Sequence, residues 1–433
     1  MVCCLLSERK SESNAIANSS DSNFNKILNT SADLTKFVTF QIFRKMESTI
    51  NMDVVNKIKS LKSESGTHSP SIDTILQECP EIKIDVDACF LSNPYATDLF
   101  MKFMHEDLIN NNKLRDVLEF YPPQNREVAK YISKAINVDH KKIFVGNGAI
   151  EIIQAILHNF LSRKICIISP TFSSYYEFVK DGIDIVYYPL LKEEEYLLDP
   201  VKYVEFIKKE KPDTIAIINP NNPNGGYLKQ EDFLYILSSL KEVTNFIIDE
   251  SFIHFAYEDI ELSQITSEEL TDSYSNLIIV KSMSKDFGIA GLRAGYAVMN
   301  SDKVDQLLKN GYLWNVSGLT NYFFKVYSEK TFIEKYDIER KKYIMNTLMF
   351  LNELKNIPGI KVYPSKANFA LVEIEKGMTS FDFTVSLLLK YGIYVRDCSD
   401  KIGLEGQFVR IASRSFEENL KIIKAIKELL CEK

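Results

Sequence analysis

Lys285 lies five residues past the apolar run 277–280, and Asp249 directly follows the run 246–248. Asn222 sits in Asn219-Pro220-Asn221-Asn222-Pro223-Asn224-Gly225, which follows the run 214–218. Ser282 and Ser284 precede Lys285, and Arg293 lies eight residues beyond it. Gly146-Asn147-Gly148 follows the run 143–145 and leads into Ala149 and Ile150; Pro170-Thr171-Phe172 follows 165–168. Each group has a use. A lysine amine condenses with an aldehyde. Free N–H groups at a helix start around Gly148, Ala149 and Ile150 hold a phosphate, and Ser282, Ser284 and Arg293 add hydroxyls and a cation. Phe172 offers a face to a flat ring. Asp249 can keep a ring nitrogen protonated, and Asn222 can donate to a phenolic oxygen. Taken singly these signals are weak, since an Asp or Lys at a strand end is more often solvated or structurally paired, and an Asn-Pro run is usually a turn. Together, in this order, they suit a phosphorylated, aromatic, carbonyl-bearing cofactor.

The elements that must carry these residues are readable from about residue 140. The runs 143–145, 165–168, 214–218, 246–248 and 277–280 are short and apolar on both faces, as strands buried in a parallel sheet are. Helical spacing at 149–162, 199–210 and 230–242 alternates with them, which predicts an α/β domain with a mostly parallel sheet. Ligands in such sheets sit at the carboxyl ends of the strands, where the residues above fall. The C-terminal third differs. Residues 302–356 read as helix, 357–359 break the chain, and strands at 369–374, 392–396 and 407–412 mix with helices at 380–390 and 416–431, a smaller α+β domain. Residues 7–32 read as disordered, 33–62 as one or two short helices, and 63–70 as a linker, so the compact protein is expected to begin near 71.

Composition bounds the rest. The 433 residues carry 52 Lys+Arg against 59 Asp+Glu, a net charge of −7, which argues against a nucleic-acid binder. The seven cysteines are scattered without a CxxC pair, so neither a metal site nor a disulfide framework is suggested, and a reducing, cytoplasmic setting is the simplest reading. Acylation at Cys3 or Cys4 is conceivable but a frayed tail is favoured. No apolar run reaches membrane-spanning length.

From about residue 85 onward the chain resembles fold-type I pyridoxal 5′-phosphate enzymes of the class I/II aminotransferase superfamily. The blocks 219–225, 249–252, Ser282-Met283-Ser284-Lys285 and Gly291-Leu292-Arg293-Ala294-Gly295-Tyr296 carry the match, in family order. Asn93-Pro94-Tyr95, Tyr121-Pro122, Trp314-Asn315-Val316 and the stretch from Arg396-Asp397-Cys398 to Arg410 resemble the branch of histidinol-phosphate aminotransferases and threonine-phosphate decarboxylases. The resemblance implies an extension over 1–70, a segment 71–100 that joins the small domain and covers the site, a large cofactor domain over 101–305 and a small domain over 306–433. It implies that Lys285 forms the Schiff base, Asp249 partners the pyridine nitrogen, Asn222 the phenolate oxygen, and Phe172 the ring face. Tyr121 would reach the cofactor phosphate of a neighbouring subunit, giving a homodimer with shared sites. Arg410 and Arg396 would hold the anions of a small-molecule substrate, and Asn93 and Tyr95 belong to the segment over it.

The activity implied is aminotransfer on a small phosphorylated amine or amino acid, in the manner of histidinol-phosphate aminotransferase. The alternative is decarboxylation of O-phospho-L-threonine or O-phospho-L-serine. A non-catalytic binding role is disfavoured by intact Lys285, Asp249 and Asn222. One departure bears on the choice: Phe252 stands where many aminotransferases carry Tyr, and Phe is frequent there in threonine-phosphate decarboxylases. Asn147-Gly148 and Gly403-Leu404 lean the same way. A phenol at 252 would donate to the ring oxygen and lower the pKa of the lysine–cofactor adduct. Phe252→Tyr is therefore expected to lower the pH midpoint of the cofactor's visible absorbance; a spectroscopic titration with an unmoved midpoint would contradict this.

Overall fold

The computed structural model describes residues 52–256, 268–375 and 377–431. The expectations for residues 7–32, for most of 33–62 and for Cys3 and Cys4 lie outside them. The chain divides into two units, Met1–Ser60 and Leu61–Lys433. Of the first, the described part is the start of the helix Met52–Glu64.

Seven strands form the large sheet of the second unit: β1 (Ile143–Asn147), β2 (Lys164–Ser169), β3 (Asp184–Pro189), β4 (Thr214–Ile218), β5 (Asn245–Asp249), β6 (Leu277–Ser282) and β7 (Ala294–Val298). Their spatial order is β1-β7-β6-β5-β4-β2-β3. The pairings β3–β2, β2–β4, β4–β5 and β5–β6 are parallel; β7 runs antiparallel to both β6 and β1. The fold is thus α/β with a mostly parallel sheet. Alternate side chains of each strand enter different cores, the consequence of a two-residue repeat in a sheet covered on both faces. Phe144, Ile165, Ile167, Ile218, Ile247 and Ile278 join one core, while Val145, Cys166, Ile168, Ile217, Ile248 and Ile279 join the other.

Two strands escape the sequence patterns. β3 is an edge strand, half-buried along most of its length, and so lacks a continuous apolar run. β7 contains Gly295, which breaks its hydrophobic signal for a reason of packing. A Cβ at Gly295 would lie 2.9 Å from Ala149 N and from Gly148 C, and 3.0 Å from Lys281 O. The missing side chain lets the helix Gly148–Phe160 begin directly against the sheet.

A second sheet contains β8 (Ile360–Val362), β9 (Phe369–Ile374), β10 (Arg396–Asp397) and β11 (Phe408–Ala412), all antiparallel, in the order β10-β11-β9-β8. The single strand expected over 392–396 is split. Ile393–Tyr394 pairs in parallel with Val86–Asp87 in a separate two-stranded sheet, which ties the segment before residue 100 to the C-terminal part of the chain, and Arg396 then enters β10.

The boundary expected at 305/306 does not mark a change of core. Val316, Phe323, Tyr327 and Phe332 pack in the core of the large sheet, and the core of the second sheet takes over at Phe350. The reason is the helix Lys330–Lys355. Its 26 residues reach roughly 39 Å, long enough for its first half to face one core and its second half the other. The start expected near 71 also moves, because the second unit begins at Leu61. Among the described residues no helix is long and apolar enough to cross a membrane.

Gly295→Ala is expected to destabilise the protein by about 1–3 kcal/mol, the usual cost of overpacking, because its neighbours are backbone atoms that cannot swing aside. Urea unfolding measures this; an unchanged midpoint would contradict the packing account.

Candidate active site

The loop after β6 is clamped from below. Lys285 O accepts from Asn93 N at 2.9 Å, and Asn93 Nδ2 donates to Asp286 O at 3.2 Å. The Asn93 side chain also caps the helix Pro94–Met104, its Oδ1 accepting from Tyr95 N at 3.1 Å. The Asp286 carboxylate is fully buried, 2.8 Å from Lys281 Nζ and 3.2 Å from His254 Nδ1. Breaking such a buried pair costs on the order of 3–5 kcal/mol, so the loop has little freedom to move. The Lys285 side chain points the other way, into a cleft of about 1010 Å³ including its mouth. Among the described residues it has no ion-pair partner. Burial, then Arg410 and Arg293, push its amine down to about 8.

At one end of the cleft are Ala149 and Ile150, in the first turn of the helix Gly148–Phe160, whose N–H groups have no intrahelical acceptor. Gly148 has φ +76, and a Cβ on it would meet Arg293 Nη2 at 2.5 Å. The guanidinium therefore lies against bare backbone at the helix start. Ser282 and Ser284 line the same end; Ser284 N donates to Ser282 Oγ at 3.3 Å.

Asp249, at the end of β5, is buried in the cleft wall. Its oxygens accept from Tyr175 Oη at 2.9 Å and from Ser251 N at 2.9 Å. Burial raises its pKa, and these hydrogen bonds oppose the shift. Tyr175 escaped the sequence reading, because it lies in a short helix, Ser174–Glu177, away from any strand-end motif. Phe172 also lines the cleft, and Phe252 packs edge-on against Phe369 at 5.2 Å.

On the opposite side Arg410 Nη1 donates to Asn222 Oδ1 at 2.7 Å and Nη2 to Cys89 O at 2.7 Å, while its buried Nε has no partner. Arg396 also lines the cleft, held by Thr67 O at 2.8 Å and Asp400 Oδ2 at 2.6 Å. Thr67, His68, Ser69 and Lys401 line it too. The first three sit in the expected linker, a polar stretch without periodicity; the fourth sits in a loop between strands, and no local pattern marked it.

Three expected site residues are not brought to the cleft of this chain. Asn93 is fully buried beneath the Lys285 loop, where its donors and acceptors are spent on backbone. It positions that loop rather than touching a ligand. Tyr95 turns its hydroxyl to Phe416 N at 3.2 Å and packs its ring against Tyr343. Tyr121 is 95% exposed.

A buried lysine, a buried carboxylate and a helix start beside an arginine, all at the strand ends of such a sheet, are the groups a carbonyl cofactor with a phosphate would need. The sequence model of the family "Aminotransferase class I and II" matches residues 105–426, and the chain belongs to that family. It is similar to the L-serine phosphate decarboxylase of Campylobacter jejuni, 55% identical over 88% of this chain and 97% of that protein. A solved structure of a decarboxylase from Sulfurospirillum multivorans, 45% identical, matches with a TM-score of 0.85 over 88% of this chain and 98% of that one. The histidinol-phosphate aminotransferase of Methanococcus aeolicus is 31% identical over 78% of this chain and 88% of that protein. The protein is an enzyme of this family, with pyridoxal 5′-phosphate as cofactor. The aminotransfer expected from the resemblance is overturned: the 55% relative and a second, 45% identical, from S. multivorans are both named decarboxylases.

The residues present fit the cofactor. Bare Gly148 backbone lies beside the Arg293 guanidinium as a phosphate would require, and among the described residues Asp249 is a buried carboxylate without a cation in hydrogen-bond contact and Lys285 an amine without an ion-pair partner. Its lowered pKa leaves more neutral amine at neutral pH. The rate at which apoprotein captures pyridoxal phosphate covalently should therefore climb by about tenfold per pH unit and level off near pH 8. A rate still climbing at pH 10, followed by stopped-flow absorbance, would contradict this, and Lys285→Ala should show no covalent capture at all.

Proposed function

We propose that the protein removes the carboxylate of L-serine phosphate, giving ethanolamine phosphate and carbon dioxide. The observation that carries this reading is the identity of 55% and 45% with two proteins named L-serine phosphate decarboxylase, matched over 97% of each. The cleft supports it, because Arg410 and Arg396 on one wall suit a substrate with two anionic groups.

In this reading Lys285 takes the cofactor aldehyde, the helix start at 148–150 with Ser282, Ser284 and Arg293 holds its phosphate, and Phe172 covers its ring. Asp249 holds a proton on the ring nitrogen, where a cation would relieve the burial that raises its pKa. Asn222 reaches the ring oxygen with its amide, its own oxygen being engaged by Arg410. The bound cofactor supplies an electron sink for the bond broken at the substrate Cα. Arg410 and Arg396 would hold the substrate's anions, and so would fix which bond at Cα is set to break. Lys285, once displaced by the substrate amine, delivers a proton to the carbon that has lost carbon dioxide; its amine is close to neutral range and its loop is rigid.

A second copy of the chain completes the site in this reading. Tyr121 projects from a stretch with Leu118 and Phe120, all three exposed, and Trp314 is exposed as well. These side chains are the apolar and phenolic groups an intersubunit contact would cover.

The test is one incubation of holoenzyme with L-serine phosphate and no 2-oxo acid, the product read by mass spectrometry and the cofactor by its spectrum. Ethanolamine phosphate formed over many turnovers, with pyridoxal phosphate unchanged, is expected. A keto product after a single turnover, with the cofactor left as pyridoxamine phosphate, would overturn the reading.

A further inference from the structure

Lys401 is a buried lysine that none of the roles above uses. It lines the cleft beside Arg396 and Thr67. Among the described residues its one hydrogen bond runs from Nζ to Thr67 O at 3.2 Å, and the nearest carboxylate oxygen, Asp400 Oδ2, is 4.0 Å away. The same Thr67 carbonyl also accepts from Arg396 Nη2. Asp400 is already engaged by Arg396 at 2.6 Å and by Lys62 at 3.1 Å. Three cations thus share one carboxylate. Asp397, buried beside them with its oxygens accepting from Ser399 N and Ser399 Oγ, is a second carboxylate of the cluster, which leaves three cations to two anions. His68 is held by Glu177 at 3.1 Å.

A buried cation in excess of its counterions is costly unless a ligand neutralises it. The strain shows in the amine of Lys401, pushed down to about 8 by burial and then by Arg396. Arg410 is a separate anion site, tied to Asn222 and Cys89. The cleft therefore offers two anion positions, one by Asn222 with Arg410 alone and one by Thr67 where Arg396 and Lys401 meet. A dianion matches the second better than a carboxylate.

We propose that Lys401 is a specificity-determining residue that contacts the phosphate of the substrate, with Arg396 beside it. This rests on the reading that the substrate is an O-phosphorylated amino acid. A lysine there acts as a point charge that adapts to a tetrahedral phosphate. An unphosphorylated amino acid leaves Lys401 and Arg396 buried without a counterion, and is rejected for that reason rather than by size.

The test compares phosphorylated and bare ligands on the holoenzyme. Lys401→Met should raise KM for L-serine phosphate by about ten- to a hundredfold, the value of one hydrogen bond to a charged group, with no matching loss in the affinity for L-serine seen in the cofactor spectrum. Lys401→Arg should restore most of the difference. Equal losses for both ligands, or no loss for either, would overturn the proposal. Wild-type protein gives a readout that needs no variant: ethanolamine phosphate, and not ethanolamine, should protect Lys401 from acetylation by acetic anhydride, read by peptide mass. Equal protection by both, or by neither, would overturn it too. Failure of the proposed function is distinguishable, since wild-type enzyme would then form no ethanolamine phosphate from L-serine phosphate.

Discussion

A lysine amine held under burial, between two arginines and with no carboxylate to pair with, is the condition on which the rest of the site depends. Water would protonate that amine fully at neutral pH. Here burial, Arg410 and Arg293 hold it near 8. Such an amine is reactive only if it is also fixed, and the fixing is done from the far side of the loop. Lys281, Asp286 and Asn93 lock the main chain on either side of Lys285 and spend their own polar groups in doing so. The charge that makes the cleft hospitable to anions and the charge that tunes the amine are thus the same charge. Neutralising Arg410 with a bound anion would relax the amine upward, so binding and reactivity are coupled through one pair of groups.

The sheet exists to bring that amine to the other chemical groups. Five of its strands were legible as short runs apolar on both faces, and the motifs at their carboxyl ends were legible as well, because a buried parallel strand followed by polar residues leaves a distinct pattern. β3 and β7 were not. One is an edge strand with weak burial, and the other carries a glycine whose purpose is visible only when the helix start is seen packed on it. Asn222, Asp249, Ser282, Ser284 and Lys285, read from the strand ends, all line one cleft. Thr67, His68 and Lys401 could not be found that way, since they reach the cleft from loops far apart in sequence, nor could Tyr175, which supports Asp249 from a short helix. Asn93 was legible as a residue that matters but not in its task, because a buried capping amide and a ligand-binding amide look alike in a sequence.

The choice between aminotransfer and decarboxylation was the least legible part. Both use the same lysine, carboxylate and anion cradle. They differ in which bond at the substrate Cα stands perpendicular to the cofactor ring, and that is set by where a few cations hold the substrate's anions. The side chains at those points are common to both chemistries in type, and only their placement differs. Relatives at 55% and 45% identity decide the matter against aminotransfer. The local hints were Asn147-Gly148, Gly403-Leu404 and Phe252, the last in an apolar cluster with Phe369 and Tyr343 and without a donor for the ring.

The central claim is that Lys285, rigidly held on one side of the substrate, completes the proposed decarboxylation by giving a single proton to the carbon that loses the carboxylate. Turnover of L-serine phosphate in deuterium oxide tests it most directly. The account predicts ethanolamine phosphate with one deuterium on that carbon, in one configuration. A product with the label in both configurations, or with the carbon doubly deuterated, would contradict it.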